Sequence, residues 1–155
     1  MKKHFGKIFC GLVIAFMMVA CNQNNVDPRD AFEGSYDFNA TGEVELFVGA
    51  NKLTTVPLDE EGTFLITKAA EDDEVLIIGY NDTIHATVAG KYLLIDPITT
   101  STDYNGVTIQ LTFLFGKATL EGTQLSCQTD VQANASYSIY TATGNGQLSI
   151  VATKK

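Results

Sequence analysis

Residues 107–115 read VTIQLTFLF, and this stretch decides the fold. Ile109, Leu111, Phe113 and Phe115 fall on one face of an extended chain, with Thr108, Gln110 and Thr112 on the other. Side chains of a strand point alternately to opposite faces, so the pattern marks a half-buried β-strand and excludes an amphipathic helix. Past Gly116 the apolar residues become Ala118 and Leu120, so the inward parity flips, which predicts a β-bulge or tight turn at Gly116-Lys117.

Working outward, the same grammar repeats. Glu121-Gly122-Thr123 turns the chain into Leu125, Cys127, Thr129 and Val131, and two more strands are expected around 137–141 and 148–152, joined by Gly144-Asn145-Gly146. Upstream, residues 97–106 (PITTSTDYNG) are expected to form the longest structureless connection, closed by an Asn-Gly turn. Within it Asp103, Tyr104 and Asn105 form a candidate binding loop, with Tyr104 as its one large contact residue. Nearer the N-terminus, Tyr36 and Phe38 alternate with polar residues, Thr41-Gly42 signals a hairpin turn, and Val44, Leu46 and Val48 continue the alternation. Residues 75–78 and 92–95 are apolar on both faces, so something is expected to cover their outer side. Short strands joined by hairpin-length turns predict an all-β domain, an antiparallel meander that closes into a barrel, with a two-sheet β-sandwich as the alternative.

The first twenty-one residues, MKKHFGKIFCGLVIAFMMVAC, carry a different message. Lys2, Lys3 and Lys7 precede an unbroken apolar run over 8–20, and small Ala20 stands directly before Cys21, as in an export signal. The run is shorter than the roughly 20 apolar residues of a spanning helix, so cleavage is expected. The expected organisation is a signal peptide over 1–20, a flexible tether over 21–31 and one domain over 32–155.

Removing residues 1–20 strips three lysines and no acids, which takes the net charge from −8 to −11. The remaining basic residues are scattered singly apart from Lys154-Lys155, so neither nucleic acid nor an anionic lipid surface is an expected partner. Cys10 leaves with the signal and Cys21 is the attachment point, so Cys127 has no partner for a disulfide.

Met18-Val19-Ala20-Cys21 resembles the lipobox of bacterial lipoproteins, with Met where Leu is usual. The resemblance implies acylation of Cys21, and several acyl chains on one residue hold a soluble domain at a bilayer where one chain does not. Phe32-Glu33-Gly34-Ser35-Tyr36, followed by about ten short strands behind that lipobox, resembles the small lipocalin-like lipoproteins of Bacteroides-type bacteria, with Tyr36 at the position of the lipocalin Trp. It implies a lipocalin-like barrel with an apolar pocket, anchored in the cell envelope, most naturally at the outer membrane. Asp82-Thr83-Ile84 resembles a short O-glycan acceptor of the same bacteria, which makes Thr83 a possible modification site.

Catalytic and metal chemistry find little footing. His85 is the one histidine past the signal and sits on the polar face of an alternating strand, whereas zinc needs three or four convergent ligands. Cys127 shares a face with Leu125 and Val131 and reads as an inert buried thiol. The acidic runs Asp59-Glu60-Glu61 and Glu71-Asp72-Asp73-Glu74 bracket one strand and so are expected at its opposite ends, too far apart to share a calcium ion. No phosphate loop, nucleophile elbow or cofactor motif is present, so no catalytic residue, metal or cofactor is expected. The expected function is a non-catalytic binding or interaction module of a cell-envelope complex. The alternatives are a barrel that binds a small apolar or amphipathic ligand, and an enzyme of unknown type.

Overall fold

The computed structural model describes residues 26–79, 82–137 and 140–155. A 3-10 helix, Pro28–Ala31, precedes eleven antiparallel strands. These are β1 (Gly34–Val48), β2 (Asn51–Pro57), β3 (Glu60–Lys68), β4 (Glu74–Ile78), β5 (Thr83–Ala89) and β6 (Tyr92–Ile95), then β7 (Ile98–Tyr104), β8 (Val107–Phe113), β9 (Gly116–Glu121), β10 (Gln124–Tyr137) and β11 (Tyr140–Lys154).

Eight of them form a closed ring, in the order β1, β3, β4, β5, β6, β9, β10 and β11, because β11 pairs with both β10 and β1. Closure leaves the ring no free edge strand, which a sandwich would retain. The fold is therefore an all-β antiparallel barrel with added strands, consistent with a lipocalin-like barrel, and the sandwich alternative falls.

The added strands arise because β1, β10 and β11 are about twice as long as the others. β1 pairs with β3 through Gly34–Ala40 and with β2 through Glu43–Val48. β10 pairs with β9 through Gln124–Cys127 and with β8 through Val131–Ala135. The long strands thus leave the barrel and continue into a curled six-stranded sheet, β2-β1-β11-β10-β8-β7. Each half has its own apolar core. Phe32, Tyr36, Ile66, Val75 and Leu93 fill the barrel, Val44, Ile109, Leu111 and Val131 fill the sheet, and Phe38 packs against both.

Two expected turns are strand interior. Thr41-Gly42 lies inside β1, and Gly144-Asn145-Gly146 lies inside β11. The glycines serve close approach and not reversal: a Cβ on Gly42 would overlap the Gln147 carbonyl oxygen, and one on Gly146 the Glu43 oxygen. The expected irregularity at Gly116 is present. Four residues, 114–117, span the gap between the pairs Phe113–Val131 and Ala118–Cys127, against three on β10. Gly116 has φ +66° and the Lys117 N–H donates to the Phe115 carbonyl at 2.8 Å, so the extra residue is absorbed in a tight turn that flips the parity.

Residues 97–106 are not a structureless connection. Seven of them form β7, paired with β8 from Ile98–Phe113 to Tyr104–Val107. A Thr-rich run resembles a loop in polarity, yet threonine's branched Cβ favours the extended backbone, and here a neighbouring strand supplies the hydrogen bonds. The Asn-Gly turn that closes it is as expected, with Asn105 at φ 51° and Gly106 at φ 79°, as a two-residue hairpin turn requires.

Residues 28–31, expected to be part of a flexible tether, form the 3-10 helix and belong to the folded unit. Asp27 caps the 3-10 helix by accepting from the Arg29 N–H at 2.9 Å. Arg29 pairs with Asp27 at 2.8 Å and donates to the carbonyl of Glu71 at 2.6 Å, while Lys68 pairs with Asp27 at 3.2 Å and with Asp30. Inside this clasp Phe32 and Tyr36 are fully buried, the Tyr36 hydroxyl donates to the Phe32 carbonyl at 2.8 Å, and the Tyr36 ring stacks on Phe64 at 5.3 Å. The helix therefore lies over one end of the barrel, and Phe32 directly after it fills that end as a plug.

Candidate binding site at the barrel mouth

The end opposite the plug is built differently. β3 runs from Glu60 at that end to Lys68 at the plug, but its pairing with β4 stops at Leu65–Ile78. Among the described residues the edge of β3 over residues 60–64 therefore has no β4 partner, which notches the barrel wall past the end of β4.

Inside the notch lies an apolar cavity of about 180 Å³, walled by Phe38, Phe64, Ile77, Ile84, Ile95 and Phe115. A water occupies ~30 Å³ of liquid, so this is room for roughly six waters in a space that offers them no polar partner. The cavity opens on a vestibule of about 770 Å³, whose wall shares Phe38, Phe64, Ile77 and Ile84 with it and adds Glu60, Glu61 and Asp82. The site is thus an apolar interior behind an acidic rim.

A second concavity lies at the far end of the six-stranded sheet. It is a groove of about 370 Å³ between β2 and β7, with Leu46, Val48 and Tyr104 on its walls and Ala135 and Ala142 on its floor. Small floor residues leave the space unfilled, and at its rim Leu53 and Tyr140 are 62% and 60% exposed.

The residues singled out in the sequence scatter over this framework. Cys21 lies outside the described residues. Asp103, Tyr104 and Asn105 sit on a hairpin, where Asp103 accepts from the Thr108 hydroxyl at 2.7 Å while Tyr104 and Asn105 line the groove and not the mouth. Thr83 is exposed at the start of β5 beside the rim. His85 is exposed on the outer face, 3.4 Å from Glu74. Cys127 is half-buried against the barrel cavity, and burial raises its thiol pKa, which keeps it protonated at neutral pH. The two acidic runs do lie at opposite ends of β3. Glu60 and Glu61 are at the mouth, whereas Glu71 accepts from Arg29 at the plug. Of the stripe Ile109, Leu111, Phe113 and Phe115, the first two are buried in the sheet core and only Phe115 reaches the barrel cavity, where it stacks on Phe113 at 5.7 Å.

The two strands apolar on both faces are covered in part by their neighbours. Leu76 is half-buried between Thr67 and His85, whereas Leu94, between Thr87 and Lys117, remains 44% exposed. Among the described residues no group of three His, Cys, Asp or Glu converges as a metal site would require. An apolar pocket is expected from the resemblance, but sequence reading does not name its residues, because Phe38, Phe64, Ile77 and Ile84 come from four strands. Each looks like an ordinary core residue in its own alternation, and only closure of the ring turns them toward one space.

The class that fold and site define is a small antiparallel barrel, plugged at one end and open at the other onto an apolar interior. No protein-family model matches the chain, and no curated protein matches it.

Proposed function

We propose that the chain is an exported binding protein of the cell envelope, held at the bilayer through acylated Cys21, whose barrel takes up a small apolar or amphipathic ligand at its open mouth. The role is binding and not catalysis. The observation that carries this reading is the apolar cavity of about 180 Å³ behind the notch in the wall, because a barrel packed solid would have none. The chain enters at the plugged end, so an anchor at Cys21 leaves the mouth on the side away from the attachment.

Fluorescence of the smaller neutral probe 1-naphthylamine, with one ring in the cavity and the other at its opening, tests it. Probe emission rises on binding to the protein, and Ile84→Trp, which crowds a half-buried position at the mouth, reduces the signal without a matching loss of melting temperature. No rise with the unaltered protein refutes the reading.

A second reading, an interaction module for another envelope protein, is favoured by one observation: Leu53 and Tyr140 stand exposed at the rim of the groove between β2 and β7. Large apolar side chains grouped at a rim mark contact surfaces.

A further inference from the structure

We infer that the mouth selects a cationic amphiphile, with an ammonium or guanidinium head at Glu60, Glu61 and Asp82 and a short aliphatic or aromatic tail between Phe38, Phe64, Ile77 and Ile84. The inference rests on the reading of the barrel as a binding protein and adds the chemistry of what it binds.

Continuity is the first support. Four apolar side chains wall both the cavity and the vestibule, so a ligand whose tail fills the cavity has its head among the vestibule's polar residues. The sign of the charge is the second. Every charged residue on the vestibule wall is a carboxylate, and each described basic residue is engaged elsewhere. Arg29 and Lys68 serve the plug, Lys52 pairs with Glu45, Lys91 with Glu121 and Lys155 with Asp37, Lys154 donates to the Ala31 carbonyl, and Lys117 lies over the Tyr92 ring at 4.1 Å. Among the described residues no cation stands within ion-pair distance of Glu60, Glu61 or Asp82. Carboxylates of one sign around a low-dielectric cleft concentrate field at its opening and favour a cation over a neutral or anionic head on the same tail. Size sets the tail. A dry cavity of ~150 Å³ accommodates benzene, so about 180 Å³ suits an aromatic ring or roughly six to eight carbons of chain.

The test is calorimetric titration of the mature chain carrying Cys21→Ser with octyltrimethylammonium, 1-octanol and octanoate, each below its micelle concentration and at low salt. Octyltrimethylammonium is expected to bind about tenfold tighter than octanol, since its head gains contact with rim carboxylates that the octanol hydroxyl does not attract by charge, and octanoate is expected to bind weakest. The preference should disappear in about 0.5 M NaCl, where screening is severe, and in Glu60→Gln/Glu61→Gln/Asp82→Asn, with octanol affinity unchanged in both cases. Cys127 borders the same cavity, so a bound tail should slow its reaction with a thiol reagent.

Equal affinity for octanol and octyltrimethylammonium, or a preference that survives the triple substitution, overturns the inference and leaves the barrel a binding protein. Cation binding without protection of Cys127 means adsorption to surface acids, and overturns it too. If none of the three binds, the proposed function falls with it. Should the triple variant not fold, Asp82→Asn alone, at an exposed position, must still weaken the preference.

Discussion

Gly146 of β11 lies opposite Val44 of β1, so close that a Cβ on residue 146 would overlap the Glu43 carbonyl oxygen. Both obstructing groups are backbone, and neither strand can retreat without breaking the ladder that joins barrel to sheet. Gly146→Ala is therefore expected to cost about 2–3 kcal/mol, at the upper end of overpacking, whereas Thr143→Ala on the exposed face of the same strand stays within about 0.5 kcal/mol. Denaturant melts of the two variants decide it. Equal effects would mean that the strands do not cross as closely as described.

The same pair shows what the sequence could and could not reveal. Alternation made β8 legible, and a change of parity made the irregularity at Gly116 legible, because both are properties of neighbouring residues. Glycine at 42 and 146 was ambiguous, since a turn and a close strand crossing both call for a residue without a side chain. The two positions sit two register positions apart, Gly42 facing Leu148 and Gly146 facing Val44 with Glu43–Gln147 between them, and that proximity between residues far apart in the chain has no local signature. β7 was hidden for a related reason. Its polar threonines have no apolar stripe to announce a strand, and its order comes from β8. At the mouth, Glu60 and Glu61 were visible as charge, while the cavity behind them exists only after the ring has closed.

Acid should loosen the plug. The hydrogen bonds from Arg29, first through its side chain and then its backbone, hold the Asp27 carboxyl well below the ordinary carboxylate value of 3.8. A carboxyl with a depressed folded-state pKa stabilises the fold at pH values above its unfolded pKa, and that contribution is lost as pH falls through the folded value. The part of stability due to Asp27 should thus be constant from neutrality to about pH 5 and decline below about pH 4. Melting temperature against pH for the unaltered chain and Asp27→Asn is the measurement. The two curves should converge toward low pH, and a constant offset down to pH 2 would contradict the clasp.

Asn105 tests whether the β7–β8 connection is a turn first. Its φ of 51° is a left-handed conformation that asparagine tolerates and a residue such as alanine resists. Asn105→Ala is expected to cost about 1–2 kcal/mol, and Asn105→Gly to be neutral within about 0.5 kcal/mol. Thermal melts separate the cases. If alanine is tolerated as well as glycine, the hairpin is not fixed by this turn.

Attachment is the remaining question, and Cys21→Ser isolates it. In the proposed reading the three amino-terminal lysines, the apolar run over 8–20 and Ala20 before Cys21 direct export and acylation, and the described fold draws its stability from cores that begin at Phe32. Loss of the Cys21 thiol should then remove the anchor and leave melting unchanged, because in this reading the acyl chains are the only apolar group at that end able to enter a bilayer. The plug supports independence of fold from anchor, since Arg29, Lys68 and Asp27 hold the chain's entrance through contacts with one another, with Asp30 and with the Glu71 carbonyl. Fractionation of cells expressing the variant gives the result. Soluble, folded protein in the exported fraction is expected; uncleaved protein in the membrane pellet would make residues 8–20 an anchoring helix and refute the lipid attachment proposed here.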